Sequence, residues 1–368
     1  MKPIAFYLPQ FYSFPENDQW WGKGFTEWTN VKKSKPLFKN HYQPTVPLNG
    51  YYSLENIETM QWQVNLAKEY GVYGFCFYHY WFGDNRQLME KPVNAFLLHK
   101  DLNIPFCLSW ANHNWSRTWV GGDQDILMDM RYGGKDDWEK HFNYLLPFFM
   151  DERYIRIQNK PLLVIYLPNS IPVLKEMMDY FTARIREFGF DGLTIVSQNE
   201  VEPQKVDNDI IDYYIEYEPN YARTQYGKHP IKTSLTSVRF GLDMFMHDCK
   251  AFFLRRLHLS QQKALPLKYD AIWNYILKHK PLTSKSIAGA FDRCDVSPRR
   301  QERAIIYKGD TPEKFKRYMK KLKIKIDKQY STDYVFISAW NEWGEGMYLE
   351  PDEKNKYGYL EGLRDAVE

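Results

Sequence analysis

Two glutamates stand three residues apart in the segment Trp340-Asn341-Glu342-Trp343-Gly344-Glu345-Gly346. In a helix or turn, side chains at i and i+3 share a face about 5–6 Å apart. That is close to the roughly 5–5.5 Å between the carboxyl groups of a retaining glycosidase. Glu-x-x-Glu pairs also occur on solvated helices, but Gly344 and Gly346 disfavour a helix interior. The indoles of Trp340 and Trp343 could stack on sugar rings, so the segment predicts a site for glycosidic chemistry.

Such chemistry needs an acid that protonates the leaving oxygen and a second group that acts as nucleophile or base. Glu342 and Glu345 could fill both roles. Two neighbouring carboxylates in a partly apolar setting separate their pKa values, because ionising one disfavours ionising the other. The sequence leaves open which of the two has the higher pKa.

The glutamate pair follows an apolar run at residues 334–339, one of several β-rich runs that alternate with amphipathic stretches. This alternation is typical of βα repeats. Strands are predicted at 3–8, 73–78, 104–109, 161–167, 193–197, 212–216, 286–290 and 334–339. Helices are predicted at 54–70, 87–101, 136–150, 172–188 and 312–328, with two more in 234–279. Gly71, Gly189 and Gly192 stand where helices should end.

Eight such repeats in 368 residues predict an α/β protein, a single (β/α)8 TIM barrel covering residues 1–368. Long insertions follow the first strand (11–53) and the sixth strand (219–285). Both are expected on the catalytic face, where they could form a cleft wall or a lid. The alternative is that they decorate the barrel without a role in the site.

Polar and aromatic residues follow most predicted strands, and a barrel places catalytic groups at these carboxyl ends. We therefore predict that these strand-end residues bind substrate. Three residues of the first insertion and three that flank the glutamates complete the predicted set. The set is Gln10, Trp21, Glu27, Trp28, Tyr78, His79, Trp81, Trp110, Asn112, Asn114, Gln198, Glu216, Glu218, Asp295, Trp340, Asn341 and Trp343. Two members have structural alternatives: His79 could be a hydrogen-bonded wall residue, and the asparagines could stabilise a turn.

Composition narrows the ligand class. The chain has 49 Lys and Arg against 46 Asp and Glu, a net charge of +3, which does not predict a nucleic-acid partner. Aromatic residues make up 17% of the chain, and their rings suit carbohydrate faces. The histidines show no paired ligand spacing and no phosphate-binding glycine loop is recognisable, so neither a metal nor another cofactor is predicted.

The amino-terminal segment lacks the apolar region of a signal peptide, and no run approaches 18 apolar residues. The four cysteines, Cys76, Cys107, Cys249 and Cys294, show no CxxC spacing. These features predict reduced thiols, no membrane span and a cytoplasmic location, or a periplasmic one if a leader has been removed. The oligomeric state is left open.

Several longer motifs occur in a recognisable order: Gly24-Phe25-Thr26-Glu27-Trp28-Thr29-Asn30-Val31, Lys35-Pro36-Leu37-Phe38, His41-Tyr42-Gln43-Pro44, Trp110-Ala111-Asn112, Pro298-Arg299-Arg300, the glutamate segment, and Tyr348-Leu349-Glu350-Pro351. Over nearly the whole chain this series resembles the WbsX family, relatives of glycoside hydrolase family 99. The resemblance adds Arg299 and Tyr348 to the expected substrate-binding residues.

Family 99 enzymes are (β/α)8 endo-acting α-mannosidases that retain configuration, and their Asn-Glu-Trp-x-Glu motif carries both catalytic carboxylates. The resemblance implies that Glu342 takes the proton of the sugar 2-hydroxyl and that Glu345 is the acid/base at the glycosidic oxygen. The implied intermediate is a 1,2-anhydro sugar. It requires O2 and the leaving group to be trans, as in α-manno or α-rhamno sugars.

The chain departs from the family pattern at three places. His113 stands where an acid is common, Leu167 where an arginine is common, and Cys294-Asp295-Val296-Ser297 where Trp-Asp-Asn-Thr is usual. These changes are expected to alter the subsites around the ring.

The sequence thus predicts a retaining endo-glycosidase acting on a bacterial surface polysaccharide. One alternative is a glycosyltransferase or transglycosylase of O-antigen, capsular or lipopolysaccharide biosynthesis, as the family label suggests. The other is a carbohydrate-binding barrel without catalysis.

Overall fold

A computed structural model of the chain describes residues 1–116, 125–199, 209–228 and 266–368. Eight parallel strands form a closed barrel, since β1 pairs with both β2 and β8. The strands are β1 (Lys2–Tyr7), β2 (Gly74–Trp81), β3 (Phe106–Trp110), β4 (Lys160–Ile165), β5 (Thr194–Asn199), β6 (Tyr213–Glu216), β7 (Ser286–Phe291) and β8 (Tyr334–Ser338). The predicted TIM barrel and its eight strands are confirmed.

The strands are buried on both faces, as parallel strands beneath a helical layer must be. β2 continues to Trp81 instead of ending at residue 78. Its last residues Tyr80 and Trp81 pair with a short antiparallel strand, Gln87–Leu88.

Helices surround the barrel and cover its strand ends. They are α1 (Pro15–Trp21), α2 (Glu27–Lys33), α3 (Ile57–Glu69), α4 (Glu90–Leu98), α5 (Lys135–Met150), α6 (Leu174–Arg186), α7 (Asn220–Lys228), α8 (Tyr269–Lys278), α9 (Ser297–Arg300), α10 (Pro312–Gln329) and α11 (Gly358–Val367). The five singly predicted helices are all present. Gly71 follows α3 with φ +77°, a left-handed conformation that glycine adopts without strain.

The sequence did not predict α1, α2, α7, α9 or α11. Of the two helices expected in 234–279, α8 is one, and residues 229–265 lie outside the described residues. The remaining short strands are Trp115–Ser116 with Ile126–Met128, Arg156–Ile157 with β4, Leu267–Lys268 with Tyr307–Lys308, and Asn341–Glu342 with Met347–Tyr348.

The first insertion packs on the carboxyl ends of the strands. The Trp28 indole of α2 donates to the carbonyl of Tyr52 at 2.7 Å and packs against Trp343 with ring centroids 5.6 Å apart. The insertion therefore packs beside the glutamate segment. Among the described cysteines, Cys76, Cys107 and Cys294 are buried free thiols. No helix in the described ranges is both long and apolar enough to cross a bilayer.

Candidate active site

The glutamate segment is a tight hairpin at the end of β8. Asn341–Glu342 pairs with Met347–Tyr348, and the turn Trp343–Glu345 joins them. The Asn341 amide accepts from the Leu8 backbone N–H at 2.7 Å and donates to the Leu8 carbonyl at 3.0 Å. These two bonds fix the hairpin to the residue that follows β1.

The turn is also held from beneath. The Trp343 ring is buried and stacks on Tyr348 with centroids 3.7 Å apart. Its indole N–H donates to Glu350 Oε2 at 2.6 Å, and Tyr52 and Gln63 donate to the same carboxyl group at 2.7 and 2.6 Å. Burial raises the pKa of Glu350 to about 7. This packing leaves the Trp343 indole no sugar-facing surface.

Arg299 of α9 joins three carboxylates. Its Nε donates to Glu27 Oε1 at 2.8 Å, its Nη2 donates to Glu342 Oε2 at 3.0 Å, and its Nη1 donates to Glu345 Oε1. Arg299, Glu27 and Glu342 are almost completely buried. One guanidinium therefore fixes the relative positions of the two candidate catalytic groups.

Gly344 permits this close approach. A Cβ at this position would lie 1.7 Å from Glu27 Oε1 and 2.8 Å from Arg299 Nε. No side chain fits there without displacing the ion pair. Gly346 ends the turn at φ +60°. The glycines of the segment are therefore needed for geometry that a surface helix would not require.

The two candidate catalytic glutamates differ in their surroundings. Burial raises the pKa of Glu342 to about 8, Arg299 opposes this rise, and the charges of Glu345 and Glu27 add to it. The Glu345 side chain is 23% exposed and lies at the solvent side of the cluster. Glu342 is thus the carboxyl with the raised pKa, which the sequence alone left open.

A cleft of about 290 Å³ opens above this cluster, at the carboxyl ends of the strands. That volume lies at the lower end of the range for small-molecule sites. Ser109 donates to Gln198 Oε1 at 3.2 Å, and the hydroxyls of Tyr78 and Tyr217 are 3.3 Å apart. The lining residues are Tyr78, Tyr80, Ala111, His113, Tyr166, Gln198, Tyr217, Asn220, Arg223, Cys294, Val296, Arg299, Arg300, Ile305, Glu342, Glu345 and Met347.

Some predicted site residues meet at this cleft. Tyr78, Gln198, Arg299, Glu342 and Glu345 line it. A second group supports the cluster from below or behind and does not line the cleft: Glu27, Trp28, Asn341, Trp343 and Tyr348. Trp340 is fully buried and packs against Phe75 with centroids 5.1 Å apart, so it belongs to the barrel core.

The structure does not bring His79, Trp81 or Trp110 to the cleft. Side chains alternate along a strand, so Tyr78 and Tyr80 point inward while His79 and Trp81 point outward. His79 Nε2 lies 2.9 Å from His141 Nε2 of α5, and Trp81 stacks on His141 at 4.7 Å. The Trp110 indole donates to the Trp81 carbonyl at 2.9 Å. The prediction that these three bind substrate is corrected: they join β2 and β3 to α5.

The asparagines after β3 stabilise loops, as their alternative interpretation held. Asn112 donates to the carbonyl of Leu167 at 2.8 Å and accepts from the Leu167 N–H at 2.7 Å. Asn114 is exposed and accepts from the Met130 N–H at 2.7 Å. These bonds occupy the Asn112 amide and the Asn114 amide oxygen, which were predicted to bind substrate.

Glu216 and Glu218 point away from the cleft. Glu216 Oε2 lies 3.0 Å from His279 Nε2 and accepts from the Tyr330 hydroxyl at 2.6 Å. Glu218 Oε2 accepts from the Ala222 N–H at 3.0 Å, and burial raises its pKa well above the usual range. Their predicted contact with substrate is corrected to a role within the helical layer.

Asp295, Gln10 and Trp21 are also not among the cleft-lining residues. Asp295 donates its backbone N–H to the Glu345 carbonyl at 2.8 Å, while its side chain accepts from Gln43 at 2.6 Å. It therefore braces the glutamate turn. Gln10 is buried after β1, and Trp21 packs on Phe25 with ring centroids 5.8 Å apart.

The sequence prediction missed several lining residues, including Tyr80, Tyr166, Tyr217, Asn220 and Arg223. Tyr80 could have been found, since it lies two residues from Tyr78 on the same strand face. Tyr166 and Tyr217 directly follow β4 and β6. Of the departures from the family pattern, His113 and Cys294 line the cleft, whereas Leu167 is 40% exposed.

Comparison with known proteins decides the family. A family model described as Glycosyltransferase WbsX matches residues 3–363. The chain belongs to this WbsX family. It is 31% identical over 368 residues to "Uncharacterized protein WxcX" from each of two strains of Xanthomonas campestris pv. campestris. The match covers 99% of this chain and 49% of the relatives, so the chain spans about half their length.

Solved structures share the fold of this WbsX chain. The GH99 endo-alpha-mannosidase from Bacteroides thetaiotaomicron superposes with a TM-score of 0.51 at 14% identity, covering 99% of this chain and 96% of that one. A "Glycoside hydrolase-like protein" superposes with a TM-score of 0.53 at 13% identity, covering 99% and 93%. The barrel of this WbsX protein is therefore of the type found in GH99.

Proposed function

We propose that this WbsX protein is a retaining endo-glycosidase that cleaves a 1,2-trans linkage, of α-manno or α-rhamno type, in a bacterial surface polysaccharide. The observation that carries the proposal is the placement of Glu342 and Glu345 on one guanidinium at the carboxyl end of a barrel, beside a cleft of about 290 Å³. The GH99-type fold and the family name, both associated with carbohydrate chemistry, support it.

In the first step, Glu342 accepts the proton of the sugar 2-hydroxyl while O2 attacks C1. The bond from C1 to the leaving oxygen breaks, and the Glu345 carboxyl protonates that oxygen. A carboxylate with a pKa near 8 is a stronger base than an ordinary carboxylate, which suits Glu342 to a weakly acidic hydroxyl. The more exposed Glu345 can reach a leaving group at the solvent side of the cluster.

In the second step, water attacks C1 of the 1,2-anhydro sugar. Glu345 takes a proton from that water, and Glu342 returns its proton to O2 as the three-membered ring opens. The two inversions at C1 give net retention, and both glutamates regain their starting states. Arg299 bonds to both carboxylates and stabilises the charge that moves between them.

Glu345→Gln tests this proposal. The wild-type protein is screened against defined α-manno- and α-rhamno-linked glycans by mass spectrometry, and the variant is then assayed on the glycan that is cleaved. We expect the variant to lose hydrolysis while keeping the wild-type melting temperature. Glu361→Gln, on an exposed face of α11, is the matched control and should retain full activity. Full activity of Glu345→Gln would refute the assignment.

The family name favours a second candidate, a glycosyltransferase or transglycosylase of polysaccharide assembly. A transferase that uses nucleotide sugars must bind a diphosphate, whereas a glycosidase need not. Calorimetry with a panel of nucleotide sugars distinguishes the two. Tight binding of a nucleotide sugar that glycans do not displace would favour the transferase over hydrolysis.

A further inference from the structure

Charge is unevenly distributed within the cleft. Glu27, Glu342 and Glu345 all share Arg299, so the positive charge of that arginine is fully used. Two more arginines line the same cleft, Arg223 of α7 and Arg300 of α9. Within the described ranges neither of them forms an ion pair. The cleft therefore contains two cationic groups that are not paired with the catalytic glutamates.

Arg223 is the more informative of the two. It is half-buried, and its Nε is buried without a hydrogen-bond partner among the residues that the structure describes. A buried guanidinium donor left unpaired costs about 1–3 kcal/mol or more, so such donors normally have a partner. Arg223 stands in the first turn of α7, where its backbone N–H donates to the Pro219 carbonyl at 3.0 Å. Its position is thus set by the fold.

Arg223 lines the same cleft as the two candidate catalytic glutamates. The buried thiol of Cys294 lines the cleft and is within electrostatic reach of both Glu345 and Arg223. A glycan held at Glu345 therefore occupies a cleft that Arg223 also lines. The cleft combines an acidic cluster that acts on the glycosidic bond with a cationic group beside it.

We propose that Arg223, assisted by Arg300 at the rim, binds a carboxylate of an acidic sugar, so that the substrate is an anionic polysaccharide. A guanidinium binds a carboxylate through two parallel hydrogen bonds, which supplies both charge and orientation. A neutral glycan would leave the buried Nε unpaired and would bind less tightly. This inference rests on the proposed function for the location of the glycan, and it adds the chemical class of that glycan.

The experiment measures binding separately from turnover. Glu345→Gln, used to prevent cleavage, is titrated by calorimetry with three forms of α-mannobiose: neutral, oxidised at C6 to the uronic acid, and phosphorylated at C6. The same titrations are repeated in Glu345→Gln carrying Arg223→Gln, Arg223→Lys or Arg303→Gln. Arg303 is exposed on the neighbouring turn and does not line the cleft, so it is the matched control.

We expect the uronic acid to bind about 10- to 100-fold more tightly than the neutral disaccharide, as for a hydrogen bond to a charged group. Arg223→Gln should abolish this preference, Arg223→Lys should keep part of it, and Arg303→Gln should keep all of it. Equal affinity for the three sugars, or a preference that survives Arg223→Gln, would overturn the proposal. A preference for the phosphorylated form alone would overturn the choice of a carboxylate.

Failure of this inference and failure of the proposed function give different results. If a neutral glycan is cleaved and Arg223→Gln changes nothing, the glycosidase stands without an anion site. If no glycan is cleaved but acidic glycans bind through Arg223, the anion site stands and the glycosidase fails. Melting temperatures of the variants identify any that do not fold, and in that case Arg223→Lys alone decides.

Discussion

Two regions of this protein look alike in sequence and differ in structure. In one, Glu342 and Glu345 stand among tryptophans, and in the other, His79 is flanked by Tyr78 and Tyr80. The glutamates share Arg299 at the edge of a cleft, whereas His79 pairs with His141 inside the helical layer. Flanking aromatic residues are therefore a poor guide to function. The direction of the side chain relative to the barrel decides.

The two regions also treat charge differently. Burial lowers the pKa of His79 to about 3, and that of His141 well below its usual value, so both imidazoles stay neutral. At the cleft, burial raises the pKa of Glu342, but Arg299 opposes the rise and keeps ionisation accessible. Glu342 has a cationic partner and can therefore exchange protons at moderate pH. The imidazole of His79, which lies against the neutral His141, cannot.

Removing the shared cation should give the largest effect. We expect Arg299→Met to lose nearly all activity, because Glu342 and Glu345 would repel each other without their common partner. The variant should also lose about 3–5 kcal/mol of unfolding free energy, since buried carboxylates would remain unpaired. Hydrolysis of the cognate glycan and urea denaturation measure the two effects. Arg303→Met, on an exposed neighbour, should change neither; wild-type stability of Arg299→Met would contradict the cluster.

A single methyl group should disturb the same cluster. Gly344→Ala would place a Cβ 1.7 Å from Glu27 Oε1, so Glu27 and Arg299 must move. A misplacement of about 1 Å can cost on the order of 100-fold in rate. We therefore expect a fall in kcat of that size, measured on the cognate glycan. Gly134→Ala is the control, because its added Cβ would meet nothing within 4 Å. Equal kcat values for both variants would show that the close approach is unimportant.

The sequence predicted the barrel well because β-rich runs and helix-ending glycines are local signals. It also located the glutamate pair, whose glycines and tryptophans stand in one segment. It could not show that Arg299 reaches Glu27 across 272 positions of sequence, because that contact depends on tertiary packing. The alternation of side chains along β2 can be read from the sequence. However, the strand was predicted to end at residue 78 instead of Trp81. We therefore assigned His79 and Trp81 to a loop on the cleft.

The charge of Glu27 should affect the pH dependence of the activity. The negative charge of Glu27 contributes to the raised pKa of Glu342, so removing it should lower that pKa. The proposed mechanism needs a single proton on the glutamate pair, and Glu342, with a pKa of about 8, holds the last proton to be lost, so wild-type activity should fall as pH rises through about 8. In Glu27→Gln this basic limb of the pH profile should move to lower pH. Rates measured from pH 5 to pH 9 test this. Glu58→Gln, exposed on α3, should leave the profile unchanged, and an upward shift in Glu27→Gln would contradict the electrostatic argument.

His79→Phe tests the other side of the comparison and should have the smallest effect on catalysis. It leaves the ring nitrogen of buried His141 without its partner, so we expect a loss of about 1–3 kcal/mol in unfolding free energy at pH 7.5. The kcat value per folded molecule should not change, because His79 does not line the cleft. His99→Phe, on an exposed residue, should affect neither property. A large fall in kcat would show that His79 contributes to the active site.

The stability difference between wild type and His79→Phe should itself depend on pH. The folded pKa of His79 is about 3, below the unfolded value near 6.5, so below pH 6.5 the unfolded chain binds a proton that the folded protein does not. The wild type therefore loses stability from this group as pH falls from 6.5 towards 3, by about 1.4 kcal/mol per pH unit. The variant lacks this loss, so its deficit should shrink with falling pH. A deficit that stays constant between pH 7.5 and pH 5 would mean that His79 is not held neutral by burial.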